Sequence, residues 1–145
     1  MSADYPSMTT AEIRSKFLNF FEERGLKLYP SSSLVPDDPS LLLANAGMNQ
    51  FKEYYQGKKT MKEIGAISCQ KCVRTNDIDC IGEDGRHLSF FEMLGDFSFG
   101  GVSKQQACAW AFELITKEFK LPLDRLYFTV FTEDDETHDV WRSLG

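Results

Sequence analysis

No apolar run in this chain approaches the roughly 20 residues that span a bilayer, and the opening MSADYPSMTT lacks the basic-then-apolar layout of a secretion signal. Both absences point to a cytoplasmic protein without a membrane partner. The sequence has no glycine-rich strand-to-helix turn of the phosphate-loop or dinucleotide type. It has no Ser-His-Asp or Cys-His arrangement at recognisable spacing, no internal repeat and no low-complexity tract. Basic side chains are outnumbered, 16 against 22 acidic, and the net charge of -6 argues against a general grip on nucleic acid. What remains, 42% hydrophobic and 26% charged over 145 residues, suits one globular unit with its own core.

Charge is unevenly spread. Glu133, Asp134, Asp135, Glu136 and Asp139 gather late, while Lys52, Lys58, Lys59, Lys62, Lys71 and Arg74 make the middle basic and suited to polyphosphate. In that middle lies SCQKCVRTNDIDCIGEDGRHLSFFEMLGDFSFG, which reads as two antiparallel strands, about 66–74 and 88–94, joined by a charged loop with Gly82, Asp84 and Gly85 as turn residues. Arg74 closes the first strand, and Arg86 and His87 open the second. A guanidinium holds two phosphate oxygens at once, and the rings of 88–94 offer stacking area to a purine, so nucleotide binding is the first expectation.

Four cysteines, Cys69, Cys72, Cys80 and Cys108, admit two readings. Cys69-x-x-Cys72 with Cys80 and His87 can be written as a zinc pattern. Positions 69 and 72 of a strand point to opposite faces, however, so reduced small hydrophobes are the preferred reading and no metal ligand is assigned.

The remaining pattern predicts an α+β fold on an antiparallel sheet with flanking helices. Thr9-x-x-Glu12 is a capping box before the apolar stripe Ile13, Phe17, Leu18, Phe20 and Phe21, and that helix stops at Gly25. A short strand at 26–29 precedes the proline-broken PSSSLVPDDP, and 41–44 reads as a buried strand. Asn45-Ala46-Gly47-Met48 then turns into a short helix carrying Phe51, Tyr54 and Tyr55, which Gly57 ends. Ser103-x-x-Gln106 caps a helix with a core face of Ala107, Trp110, Ala111, Leu114 and Ile115. A strand at 125–131 and an acidic helix at 133–144, with Val140 and Trp141 inward, complete the chain.

NAGMNQFK, QKCVR, RHLSFFEMLGDFSFG, the Trp110 helix and RLYFTVF, in this order, closely resemble the N-terminal catalytic region of alanyl-tRNA synthetase, a class II aminoacyl-tRNA synthetase. The resemblance covers nearly the whole chain. It implies an ATP-dependent ligase that makes alanyl-adenylate with Mg²⁺ assisting and transfers alanine to tRNA(Ala). By resemblance, Arg74 is catalytic and binds the ATP α-phosphate and the L-alanine carboxylate, while Arg86 and His87 approach the β and γ phosphates. Phe91, on the strand face of His87, stacks on adenine, with Phe90 turned the other way into the core. Met48 lines the pocket for the alanine methyl group, with a plain core role as the alternative, and Asn45 orients backbone beside it. Glu92 and Asp96 receive no firm role, Trp110 and Trp141 are core, and Pro36, in the part resembling motif 1, is structural by resemblance.

Two departures from the family pattern bear on this reading. The lysine of the longer AGGKHND loop is missing, replaced by the short Thr75-Asn76-Asp77. The GPCGPCSE segment and motif 3 are also absent, so residues 1–145 are expected to form a single partial catalytic domain with motifs 1 and 2, weakly active or inactive by itself and prone to self-association through exposed sheet surface. Contact with tRNA would then lie mainly in regions absent here. Two alternatives stand beside the ligase: a non-catalytic relative that binds ATP or a protein partner, and a small zinc-binding module.

Overall fold

The computed structural model describes residues 7–76 and 78–145; residues 1–6, and Asp77 of the short Thr75-Asn76-Asp77 loop, lie outside them. The first helix, α1 (Thr10–Glu22), begins as its sequence dictates. The Glu12 amide donates to Thr9 Oγ1 at 3.3 Å, and Glu12 Oε2 accepts from the Thr9 amide at 2.7 Å, so two otherwise orphan N–H groups are satisfied reciprocally. Gly25 ends it with φ +87°, donating to the Glu22 carbonyl, while Leu26 donates back to Phe21.

The chain divides into two compact units, Phe21–Gly101 and the remainder. The first is built on a three-stranded sheet ordered β1 (Lys27–Leu28), β2 (Gly65–Val73), β3 (Phe90–Ser98). β1 runs parallel to β2, and β2 pairs antiparallel with β3 along its whole length, from Gly65 opposite Ser98 to Val73 opposite Phe90. The hairpin therefore forms as the sequence predicts. β3 starts two residues later than expected, so His87 sits in the loop and shares no strand face with Phe91.

β2 is the central strand, and its outer edge is closed piece by piece. Ile67 accepts from the Tyr29 amide at 2.9 Å, the Lys71 amide donates to Ser31 Oγ at 3.1 Å, and the Val73 amide donates to the Ala44 carbonyl at 2.9 Å. Gln70, only 1% exposed, secures this edge. Its Oε1 accepts from the Ser32 amide at 2.9 Å and from Gln50 Nε2 at 3.1 Å, and its Nε2 donates to the Lys71 carbonyl at 2.8 Å. A buried amide stripped of these partners would be costly, so this network fixes where the 31–33 segment docks. A 3₁₀ turn at Gly47–Phe51 and the short α2 (Lys52–Tyr55) follow, with Phe51 buried among Tyr29, Tyr54, Phe97 and Phe99.

Two expected strands do not form. At 41–44, Asp38 takes over: its carboxylate accepts from the Ser40 amide and its carbonyl from Leu41, making a turn that leaves Leu42 93% exposed and only Ala44 buried. At 125–131 the β-favouring residues find no partner among the described residues, and a strand exists only as one of a pair. Tyr127 and Phe131 stand exposed there after a 3₁₀ turn, Leu123–Arg125.

The second unit includes α3 (Lys104–Glu113), which runs on through a π-helical turn at Leu114–Glu118, and α4 (Asp135–Leu144). The Ser103–Gln106 capping box is present. Along α3, Cys108 is buried and Ala107 is exposed, the reverse of the expected phase at that turn; Leu114 is buried, and Trp110, Ala111 and Ile115 are half-buried. Val140 and Trp141 are half-buried too, with Trp141 packed on Phe128 at 4.5 Å between ring centroids.

Asp134 caps α4, accepting from the Thr137 amide at 3.1 Å and from Lys104 Nζ at 3.0 Å. The Lys104 ammonium first, then the Thr137 hydroxyl and amide, hold its carboxyl down from the ordinary 3.8 to about 2. A depressed carboxyl stabilises the fold above its ordinary pKa and loses that contribution as pH falls through the folded value. Hydrogen-exchange protection of α4 is therefore expected to fall between pH 4 and about 2, and Asp134→Asn should flatten the profile in that window. An unchanged acid profile in the variant would contradict this assignment.

Candidate functional site

The site begins where the β2–β3 ladder ends. The Arg74 amide donates to the Ser89 carbonyl at 2.9 Å, one step beyond the Val73–Phe90 pair, so the hairpin itself sets where the arginine leaves the sheet. Cys72 lies opposite Phe91, and strand alternation then puts Cys72, Arg74 and Phe91 on one face. The guanidinium carbon sits 5.3 Å from the centroid of the Phe91 ring.

A second contact fixes the guanidinium. Arg74 Nε donates to the Asn45 carbonyl at 3.0 Å, so one edge of the fork is held by backbone and the two terminal nitrogens point elsewhere. Among the described residues no carboxylate pairs with Arg74, which is exposed. The Asn45 turn is itself anchored. Ala46 donates to Asn49 Oδ1 at 2.7 Å, and Gly47 donates to the Met93 thioether sulfur at 3.1 Å. A Cβ on Gly47 would meet the Phe97 ring at 3.2 Å, so glycine lets this turn press onto the sheet face below Arg74.

Met48 follows in the same turn, 47% exposed, so it is no core methionine. Phe90 lies on the face opposite Phe91 as expected, but at 53% exposure it does not enter the core. Glu92 and Asp96 share the Phe90 face, away from Arg74.

Arg86 and His87 lie in the 74–89 loop, exposed. Asp84 organises them: its Oδ1 accepts from the Arg86 amide at 2.9 Å and the His87 amide at 3.1 Å, while its Oδ2 pairs with His87 Nδ1 at 2.5 Å. The Arg86 and His87 amides, chiefly, lower the Asp84 carboxyl to about 2, so at neutral pH it is an anion and can only accept.

Several features conflict with simpler readings of the sequence. Of the basic middle, Lys52 is tied to Asp38 and Lys59 to Glu53, each at 2.5 Å, so these ammonium groups are already neutralised locally. They line a groove of about 490 Å³ between the 32–39 segment and α2, and Arg74, Phe91 and Met48 take no part in it. Cys69 and Cys72 point to opposite faces of β2, and burial pushes the Cys72 thiol up against the opposing pull of Arg74. No three His, Cys, Asp or Glu side chains converge to hold a metal ion among the described residues.

Sequence reasoning missed Gln70 and Met93, and read Asp84 only as a turn residue. Gln70 occupies an inward register position of β2, a position that demands hydrogen-bond partners, and Asp84 precedes glycine in a turn where its carboxylate can reach the next amides. Met93 carried no legible signal.

The family model for tRNA synthetases of class II (A) matches residues 12–145. The chain is 53% identical over 131 residues to the chloroplastic/mitochondrial alanine–tRNA ligase of Sorghum bicolor, covering 90% of this chain and 14% of that protein. It is 51% identical over 142 residues to the alanine–tRNA ligase of Synechocystis, covering 98% and 16%. The Fervidobacterium nodosum alanine–tRNA ligase is 49% identical over 138 residues, covering 95% and 16%. The chain thus spans about one sixth or less of the length of these relatives.

Proposed function

Because this chain belongs to the class II tRNA synthetases, we propose that it supplies the ATP-binding hairpin of an alanine–tRNA ligase, the activity named for relatives about half identical to it. The substrates are Mg·ATP, L-alanine and tRNA(Ala). The alanine carboxylate attacks the α-phosphorus and pyrophosphate leaves; a tRNA hydroxyl then takes the alanyl group from the adenylate and AMP leaves. Such a reaction needs reactants positioned and negative charge spread, without a side-chain nucleophile. Mg²⁺ is read as entering with the phosphates of ATP, which supply hard oxygen ligands. The domain is read as residues 1–145 forming a single partial catalytic domain. The four free cysteines suit a reducing compartment, with the cytoplasm proposed.

One observation carries this reading: the Arg74 guanidinium is held through Nε by the Asn45 carbonyl and leaves its terminal nitrogens for an anion above Phe91. Those nitrogens take the α-phosphate and the alanine carboxylate, Arg86 and His87 take the β and γ phosphates, and Met48 borders the methyl group. The cation now occupies the Phe91 face. Adenine must displace it toward the phosphates. An exposed cation–π contact is worth about 0.5–1 kcal/mol, less than the roughly 1.5–3 kcal/mol of a hydrogen bond to a charged group, so the exchange is favourable. Calorimetric titration with Mg·ATP tests the reading. Phe91→Leu is expected to weaken ATP and adenosine alike by about tenfold, the worth of one stacked ring, and to leave pyrophosphate binding unchanged. Equal ATP affinity in the variant would remove Phe91 from the site.

A further inference from the structure

We propose that Asp84 is a positioning residue for the phosphates, acting by fixing His87 so that its free ring nitrogen faces the polyphosphate of ATP. This rests on the nucleotide reading above. The carboxylate performs two separate tasks with two oxygens. Oδ1 gathers the Arg86 and His87 amides at 2.9 and 3.1 Å, which shapes the turn, and Oδ2 takes His87 Nδ1 at 2.5 Å, which sets the ring.

An ionised carboxylate only accepts, so Nδ1 must carry the proton shared with it and Nε2 is left on the opposite edge of the ring. A ring donating at both nitrogens bridges the Asp84 carboxylate and a phosphate oxygen. The position is suitable. His87 precedes by two residues Ser89, whose carbonyl holds the Arg74 amide, and two residues span at most about 7 Å. Both side chains are partly exposed, 44% for His87 and 40% for Asp84, so a ligand can reach the ring. Among the described residues no carboxylate pairs with the Arg86 side chain, so the same turn presents a second cation.

The two tasks can be separated. Asp84→Asn retains an oxygen for both amides and removes the anion from His87. The chain and its variants are titrated with Mg·ATP, AMP and pyrophosphate. Asp84→Asn is expected to weaken ATP and pyrophosphate binding about tenfold, the worth of one lost charge-assisted contact, with AMP affinity unchanged. In a His87→Ala background the same substitution should add nothing, because a positioning residue has no effect without the group it positions. Equal weakening of ATP and AMP, or a further loss in the His87→Ala background, would reduce Asp84 to a turn former and overturn the proposal. ATP affinity unmoved by Asp84→Asn would overturn it alone, whereas no ATP binding by the unaltered chain would overturn the nucleotide reading with it.

Discussion

Replacing Arg74 by alanine is expected to weaken Mg·ATP binding by about a hundredfold, the loss of two charge-assisted hydrogen bonds at about 1.5 kcal/mol each, with little change in the thermal midpoint of the chain. The two halves of this expectation come from different observations. Arg74 is exposed, beyond the last strand pair, and its folded-state contacts are one hydrogen bond to the Asn45 carbonyl and one exposed ring contact. Removing them costs the fold little. The terminal nitrogens, by contrast, are paired with no carboxylate of the described residues, so they can turn from the Phe91 face onto an anion. Arg74→Lys should recover little: an ammonium keeps the charge but cannot donate to Asn45 through Nε and grip two oxygens in one plane. Near-normal affinity in Arg74→Lys would mean that the site reads charge alone.

Phe51→Ala is expected to show the opposite profile, destabilising the fold by about 3–5 kcal/mol, the range for truncating a buried aromatic ring. Phe51 is 1% exposed and has four aromatic neighbours, with the Phe97 ring centroid at 4.8 Å. It also joins the turn that carries Asn45 to Met48 to the sheet that carries Arg74, so the cavity would loosen the site from beneath. Denaturant unfolding should record the loss. ATP affinity measured well below the unfolding transition should fall less than in Arg74→Ala. A cost under 1 kcal/mol would show that this cluster can collapse around the deletion and is not the keystone of the Phe21–Gly101 unit.

Legibility in the sequence followed how local each signal was. The capping boxes at Thr9 and Ser103, the stops at Gly25 and Gly57 and the β2–β3 hairpin are encoded by neighbouring residues, and all form. The strands expected at 41–44 and 125–131 had the right residue types, but strand formation is decided by a partner, and the Asp38 turn and the lack of an available ladder decided otherwise. At the site, the sequence places Phe91 by the strand face of His87, whereas the register that sets it beside Arg74, with Cys72 opposite Phe91, is a property of the ladder. The placing of His87 is not legible, since its orientation depends on the Asp84 carboxylate and not on a strand phase. Nor is that of the Asn45 carbonyl, a backbone group that has no sequence signature and is brought to Arg74 by Gly47 fitting against Phe97. The lysine-rich middle misled most, because Lys52 and Lys59 are neutralised by Asp38 and Glu53.

The central claim is that ATP lies on the hairpin face shared by Arg74 and Phe91. Nuclear Overhauser contacts between adenine protons and side chains of the isotope-labelled chain test it most directly. The account predicts contacts from adenine H2 and H8 to the Phe91 ring, together with a shift of the Arg74 Nε–H resonance on saturation. Adenine contacts to the groove beside Lys52 and Lys59, with the Phe91 and Arg74 signals unmoved, would contradict it.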